Sequence, residues 1–399
     1  MPYPDGASAG PLPRHEAEHV RPIRRTKIRR PARTRFPLTL ALLLFLALAA
    51  ACTNFNKPEG WAGPSVEGDV IVASLDKAKV SGLDSDFSVL WTFPTGDEDP
   101  KIDLEAVYTT PVIVDAAVYI AGYSGDVYAL NLETGEPVWD FEADDPIVAG
   151  LAAGESTVYV ATEGGDLFAL DAADGSVKER FDAGDGVWGT PLLAEGVIYV
   201  SSVSGVLYAL DAETLDPVWD RPYRTNHGLI TDPVLADGTV LVGGIDRTLH
   251  AVNAEDGAGA WSYKADNWFY GRPLVEDGTV YAPNLDSELY ALDLQSGDAL
   301  WTFSADDTLR STPVRVGDTL VIIDGDGTVY GLDTEAEGDG RLKWSRELGK
   351  KVLSNPLVLD GQLLISAQGG DLFRVDDVAE GTVSRLDPEA GAFVEVVEP

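Results

Sequence analysis

The chain has a single cysteine, Cys52, in 399 residues. It therefore forms no internal disulfide and no cysteine-based metal cluster. Histidine is nearly as scarce. Two of the four, His15 and His19, sit in the leader, which leaves too few for a zinc site, and no metal is expected. Positive charge is missing from most of the chain. The net charge is −37, yet the first 51 residues hold nine Arg and Lys against three Asp and Glu. The remainder carries 20 basic and 63 acidic residues, a net of −43. Such a surface repels phosphate backbones, which excludes a nucleic acid partner. It fits a solubilising or salt-adapted surface, or one that attracts calcium or a cationic partner. Helical periodicity is absent, so a helical solenoid is excluded. No Ser, His and Asp set, no metal-ligand spacing and no phosphate loop stands out, and catalysis is not expected.

One long apolar run exists. Residues 14–35 are rich in Arg (Arg21, Arg24, Arg25, Arg29, Arg30, Arg33, Arg35), and residues 36–51 are apolar and end in small side chains. Sixteen residues fall short of the roughly 20 a spanning helix needs, and the arrangement is that of a signal peptide. Leu-Ala-Ala-Ala-Cys at 48–52 resembles a bacterial lipoprotein signal. That resemblance implies cleavage before Cys52 and a lipid on its sulfur. Ala49 stands where such signals usually carry Leu, and an uncleaved anchor or an ordinary signal peptide remains open. Arg24-Arg25 is followed by Thr-Lys-Ile, a poor match to twin-arginine export. Met1 is the only methionine, so a start further on, for instance at Val20, also remains open. Residues 52–60 are expected to form a short polar tether and residues 61–399 the folded domain.

That domain is repetitive. One unit reads Thr-Pro-Val-Ile-Val-Asp (110–115), Val-Tyr-Ile-Ala (118–121), Gly-Asp-Val-Tyr-Ala-Leu-Asn (125–131) and Thr-Gly-Glu-Pro-Val-Trp-Asp-Phe (134–141). Related units start at Leu151, Pro191, Pro233, Pro273, Pro313 and Pro356, spaced by 40 to 43 residues, and a weaker first one starts near Pro64. Each unit holds four short runs of alternating apolar and polar residues, rich in Val, Tyr, Ile and Leu, which read as strands. Asp-Gly or Glu-Gly joins the first two runs (Glu195-Gly196, Asp237-Gly238, Asp277-Gly278, Asp360-Gly361). Four antiparallel strands about every 40 residues is the period of a propeller blade. The expected fold is all-β: a single eight-bladed β-propeller of four-stranded antiparallel blades, after an N-terminal signal segment. Residues 387–399 are expected to add a closing strand beside the first blade.

The pattern Ala-x-Asp/Asn-x-x-x-Gly-x-x-x-Trp is complete at 129–139, 251–261 and 291–301. The copy at 209–219 has Leu215 for glycine, that at 169–179 has Glu179 for tryptophan, and the one ending at Trp344 carries an acidic insertion. This pattern resembles the tryptophan-docking repeat of PQQ-like quinoprotein propellers. The resemblance implies that Trp91, Trp139, Trp219, Trp261, Trp301 and Trp344 lie between blades as core residues, the small Ala leaving each indole room. Quinoprotein dehydrogenases of this type are longer, and many carry an adjacent Cys pair and a calcium held by Asp, Asn and Glu. This chain lacks the pair, so no cofactor is expected, PQQ and calcium included. Asp324-Gly-Asp326-Gly resembles half of a calcium loop, but Asp-Gly is the turn of this repeat.

A nearer resemblance is to the lipoprotein subunit of the outer-membrane β-barrel assembly machinery, a lipidated propeller scaffold. It implies a non-catalytic, extracytoplasmic, membrane-anchored lipoprotein that binds another envelope or membrane protein as a single-chain propeller. The alternative is an exported PQQ- or small-molecule-binding propeller, or a quinoprotein-like oxidoreductase. Loops on a rigid scaffold are where partners bind. The segments just before each unit start are the least repetitive, and they supply the candidate face: Tyr108, Trp188, His227, Trp268, Tyr270, Arg272, Arg310 and Lys351. Tyr108, Trp188, Tyr270 and Arg310 share one position, three residues before the unit's Pro. Aromatic and Arg side chains in exposed loops suit partner contacts. They equally suit plugging the channel of the ring.

Overall fold

The computed structural model describes residues 62–76, 78–95, 102, 104–337, 341–387 and 392–396. The leader, Cys52, the tether and Trp61 lie outside them. The described chain forms eight antiparallel sheets, each built from consecutive strands. Blade 1 comprises β1 (Ser65–Glu67), β2 (Val70–Asp76), β3 (Lys79–Leu83) and β4 (Val89–Phe93), hydrogen-bonded in that order. Blades 2 to 8 follow at residues 112–142, 152–182, 192–224, 234–264, 274–304, 314–347 and 357–395.

Turn chemistry sets this hairpin pattern. Between the first two strands of a blade, Glu195-Gly196, Asp237-Gly238, Asp277-Gly278 and Asp360-Gly361 hold positive φ at both residues. That is the two-residue turn whose twist matches antiparallel strands. Between the third and fourth strands, Asn131 accepts the amides of Glu133 and Thr134 through Oδ1, and Gly135 follows at φ 69°. Asp171, Asp211, Asn253, Asp293, Asp333 and Asp377 repeat this cap.

The middle two strands of each blade are buried and the outermost is the most exposed, so the sheets stack face to face around an axis. The cores lie between blades. Val72, Trp91 and Phe93 of blade 1 pack with Val118, Ile120 and Leu130 of blade 2. Ile71, Ala73 and Phe87 of blade 1 likewise pack with Leu364, Leu372 and Leu386 of blade 8, which closes the ring.

Closure departs from the sequence expectation. The strand Ala392–Glu395 pairs with Thr382–Asp387 of its own blade and becomes a fifth, outermost strand. A four-residue link between the two strands is hairpin length and favours the immediate neighbour. The fifth strand's Phe393 side chain reaches the first blade, where the ring meets Phe87 edge-on at 4.7 Å.

The docking geometry is uniform at five junctions. In blades 1, 2, 5 and 7 a bulge follows the pairing of the tryptophan with a small residue, as in Ala129↔Trp139, Ala251↔Trp261 and Gly331↔Trp344. The far side of the indole then rests on the next blade's turn glycine. The pairs are Trp91 with Gly135, Trp139 with Gly175, Trp219 with Gly257, Trp261 with Gly297 and Trp344 with Gly381. A Cβ on any of these glycines would lie 2.5–2.7 Å from the ring. The indole N–H donates to the carbonyl of the residue just after the capping Asn or Asp: Leu132, Ala172, Ala254, Leu294 and Val378, at 2.8–2.9 Å. Large area, one satisfied donor and little rotamer freedom make this a strong clasp. Trp301 departs from it, carrying the Arg341 guanidinium 3.8 Å from its ring centre, next to the acidic insertion of blade 7.

Candidate functional site

Each blade is entered by a four-residue segment ending in Pro or Leu. A residue before proline is held extended, which fixes the direction of the segment. Entry segments of all eight blades converge on one cavity of about 320 Å³. Because every blade contributes, the cavity lies on the axis of the ring, at the mouth of its channel.

The residue directly before the unit start forms a girdle that links neighbouring blades. The Gly150 amide donates to Thr190 Oγ1 at 3.1 Å. The Thr190 amide donates to Asp232 Oδ1 at 2.6 Å. The Thr312 amide donates to Asn355 Oδ1 at 2.8 Å. One layer below, the buried Ser311 hydroxyl donates to the Ser354 carbonyl at 2.9 Å. These bonds cross between blades about 40 residues apart in sequence. They tie the inner rim as the tryptophans tie the outer one.

Charge in the cavity is sparse and of mixed sign. Among the described residues Asp232 is its only carboxylate, and Arg272 and Arg310 are its basic groups. Burial pushes the Asp232 carboxyl pKa up, against the opposing pull of the Thr190 amide and of Arg272. Arg310 holds its guanidinium 5.5 Å from the centre of the Tyr270 ring. Burial raises the Tyr270 phenol, Arg310 opposes and Asp232 adds to the rise.

Of the loop residues singled out in the sequence, Tyr108, Trp188, Tyr270, Arg272 and Arg310 line this cavity. Trp188 and Tyr270 keep 45% and 37% of their surface exposed. His227, Trp268 and Lys351 lie outside the lining. His227 is exposed and bonds through Nδ1 to the Asn226 carbonyl oxygen, and Trp268 is exposed in the loop entering blade 6. Sequence reasoning missed Thr190, Asp232 and Asn355. Their signal was available: they occupy one register position, directly before Pro191, Pro233 and Pro356.

A second polar cluster lies between blades 4 and 5. Tyr223 Oη and His250 Nδ1 are 3.0 Å apart, and His250 Nε2 is 3.0 Å from Asp246 Oδ2. It has the look of a catalytic relay, but its place in the repeat explains it. Neighbouring blades pair rings at this position: Phe93 with Tyr128, Phe141 with Phe168, Phe181 with Tyr208, Tyr263 with Tyr290 and Phe303 with Tyr330, at 5.0–5.6 Å. Tyr223 and His250 are the same pair, at 5.7 Å, with His in place of the second phenyl ring. His250 is buried and does not line the channel mouth.

Calcium-assisted quinone chemistry needs several carboxylate or amide ligands beside a planar site. The channel mouth offers one carboxylate and no cysteine, which does not fit that donor set. Among the described residues, no group of three or more His, Cys, Asp or Glu side chains is gathered as a metal site.

Comparison with known proteins places this architecture. A family described as "Outer membrane protein assembly factor BamB" matches residues 60–139, 124–229, 221–337 and 308–392. The BamB of Marinobacter adhaerens (strain DSM 23420 / HP15) is 29% identical over 130 residues, 33% of this chain and 27% of that protein. The BamB of Aliivibrio fischeri (strain ATCC 700601 / ES114) is 32% identical over 81 residues, 19% of this chain and 20% of that protein. The matched segments thus span about a quarter of these relatives or less. Among solved structures, BamB from Moraxella catarrhalis superposes with a TM-score of 0.64 at 21% identity, covering 81% of this chain and 92% of its own. The computationally designed Ika8 protein gives 0.67 at 14% identity, over 79% and 95%. The quinohemoprotein alcohol dehydrogenase ADHIIG from Pseudomonas putida HK5 gives 0.60 at 14% identity, over 79% and 71%. These structural likenesses concern the fold alone.

Proposed function

The chain belongs to the family described as outer membrane protein assembly factor BamB, and on that premise we propose that it is a non-catalytic propeller scaffold. In this reading it is tethered to a membrane on the extracytoplasmic side by a lipid on Cys52, and it holds another envelope protein through the loops around the channel mouth. One observation carries the reading. Five junctions are clasped by tryptophan at the outer rim and three by hydrogen bonds at the inner rim, while the least repetitive segments of the chain line one cavity. Such a body presents loops and does not need to change shape. The similarity to two outer membrane protein assembly factors supports an envelope partner.

Crosslinking of the full-length protein in native membranes, read by mass spectrometry, tests this. Crosslinks from Lys350 and Lys351 to a membrane or barrel protein, lost in Cys52→Ala, are the expected result. Crosslinks confined to the propeller itself would overturn the scaffold. Cys52→Ala that stays in the membrane fraction would overturn the tether.

The channel mouth also favours a second reading, an exported binder of small molecules. Its volume falls within the roughly 300–1,000 Å³ of ligand pockets.

A further inference from the structure

The chain carries 66 acidic against 29 basic residues. On such a body carboxylates are close at hand, and four described arginines pair with one. Arg180 pairs with Asp166 at 2.6 Å, Arg315 with Glu276 at 2.8 Å and Arg374 with Asp376 at 2.5 Å, and Arg385 pairs with Asp371. Among the described residues, neither Arg272 nor Arg310 lies within ion-pair distance of a carboxylate, although Asp232 is near enough to interact with Arg272 through its charge. With one Asp and two Arg, the lining carries a net charge of +1. Arg310 is half-buried, and its one described contact is the face of Tyr270.

Three further features bear on what an anion there would look like. Trp188, Tyr108 and Tyr270 line the same cavity, and Trp188 and Tyr270 expose large parts of their rings. Exposed aromatic faces bind flat or ring-shaped groups. Asn355 accepts from Thr312 through Oδ1, and its amide N–H groups have no described partner. Hydroxyl-bearing Thr109, Thr110, Thr190 and Ser354 complete a lining with many hydrogen-bonding groups. Finally, the strongly acidic body disfavours a multiply charged anion, so a single negative charge fits the local +1.

We propose that the channel mouth binds a carboxylate-bearing ring, with the carboxylate on the guanidinium groups of Arg310 and Arg272 and the ring against Trp188 and Tyr108. Guanidinium groups match carboxylates in planar, bidentate geometry. Two kinds of molecule carry this chemistry, an acidic sugar and a small aromatic acid. The polar lining favours the sugar. The proposal stands apart from the scaffold reading, and the crosslinking outcome does not bear on it.

Titration calorimetry on the detergent-solubilised full-length protein tests it, with D-glucuronate, benzoate and D-glucose as probes. Glucuronate should bind with a dissociation constant below about 1 mM, and D-glucose at least tenfold more weakly. Arg310→Met should weaken glucuronate at least tenfold. Arg310→Lys, which keeps the charge and loses the fork, should fall between. Circular dichroism confirms that each variant is folded. If Arg310→Met does not fold, the Lys variant and Trp188→Leu carry the test. Tighter binding of benzoate than of glucuronate supports the site and assigns it to an aromatic acid. Three results would overturn the proposal: no binding of either acid, equal binding of glucose and glucuronate, or unchanged affinity in the folded Arg310 and Trp188 variants.

Discussion

Between blades 4 and 5 the Trp219 indole rests on Gly257 and donates its N–H to the Ala254 carbonyl at 2.9 Å. One junction earlier, between blades 3 and 4, the same strand position holds the exposed Glu179 and the same turn position holds Leu215. The two departures meet at one interface. Glycine is needed in that turn because an indole lies on it, at a φ that L residues rarely adopt. Where no indole arrives, Leu215 fills the space itself, 4% exposed, and tolerates φ 54°. The missing tryptophan and the missing glycine are therefore one substitution made in two places, 36 residues apart in sequence.

The largest expected effect breaks the docked junction. Trp219→Ala removes a buried aromatic and its hydrogen bond, and should cost about 3–5 kcal/mol in urea unfolding. Glu179→Ala, at the matching position, should change stability by less than about 0.5 kcal/mol. Equal losses would show that the exposed glutamate holds its junction as the indole does.

Next in size is an attempt to convert one junction into the other. Glu179→Trp alone should destabilise, because Leu215 blocks the indole. Leu215→Gly alone should destabilise by leaving a cavity. Together they should restore the clasp, so the double mutant is more stable than the two losses predict, by about 1–3 kcal/mol of coupling. Additive losses would show that the docking rule does not transfer between blades.

Much of this was readable in the sequence, and the reasons are local. Asp-Gly turns, alternating strands and tryptophans every 40 or so residues each report on a single blade, so eight blades follow from their spacing. What escaped depends on contacts between blades. Thr190 and Asp232 form a hydrogen bond across 42 residues, and their position holds Thr in three blades and Gly, Asp, Arg or Asn in the others, so no single residue type marks it. His250 reads as an isolated histidine until the ring pairs of five other junctions explain it. The last strand was assigned to the first blade because rings need closing. Blade 8 instead keeps the strand, and from that strand Phe393 reaches across.

That closing contact is the third junction type, aromatic on aromatic where other junctions place indole on glycine. Arg374 lies 4.2 Å from the centre of the Phe393 ring and supports it. Phe393→Ala should cost about 1 kcal/mol, the scale of an edge-on pair with modest burial. The loss should show as faster proteolysis of the C-terminal strand before global unfolding. A loss as large as that of Trp219→Ala would make closure, not docking, the main source of stability.

The smallest effect separates the His-bearing junction from its aromatic counterparts by pH. Burial opposes ionisation of Asp246, but the hydrogen bond and charge of His250 and the Thr248 amide outweigh it and lower its carboxyl pKa. A carboxylate with a lowered folded pKa stabilises the fold above its unfolded value, about 3.9, and loses that contribution as pH falls through the folded value. Asp246 is partly solvated, so the contribution at neutral pH is expected to stay below about 1 kcal/mol. Asp246→Asn should therefore be less stable than the parent at pH 7, and the two urea midpoints should converge below about pH 3. A gap that persists unchanged into acid would mean that Asp246 acts through its shape and hydrogen bonds alone. The Tyr223–His250 pair would then be an ordinary ring contact, no different in kind from Phe181 with Tyr208.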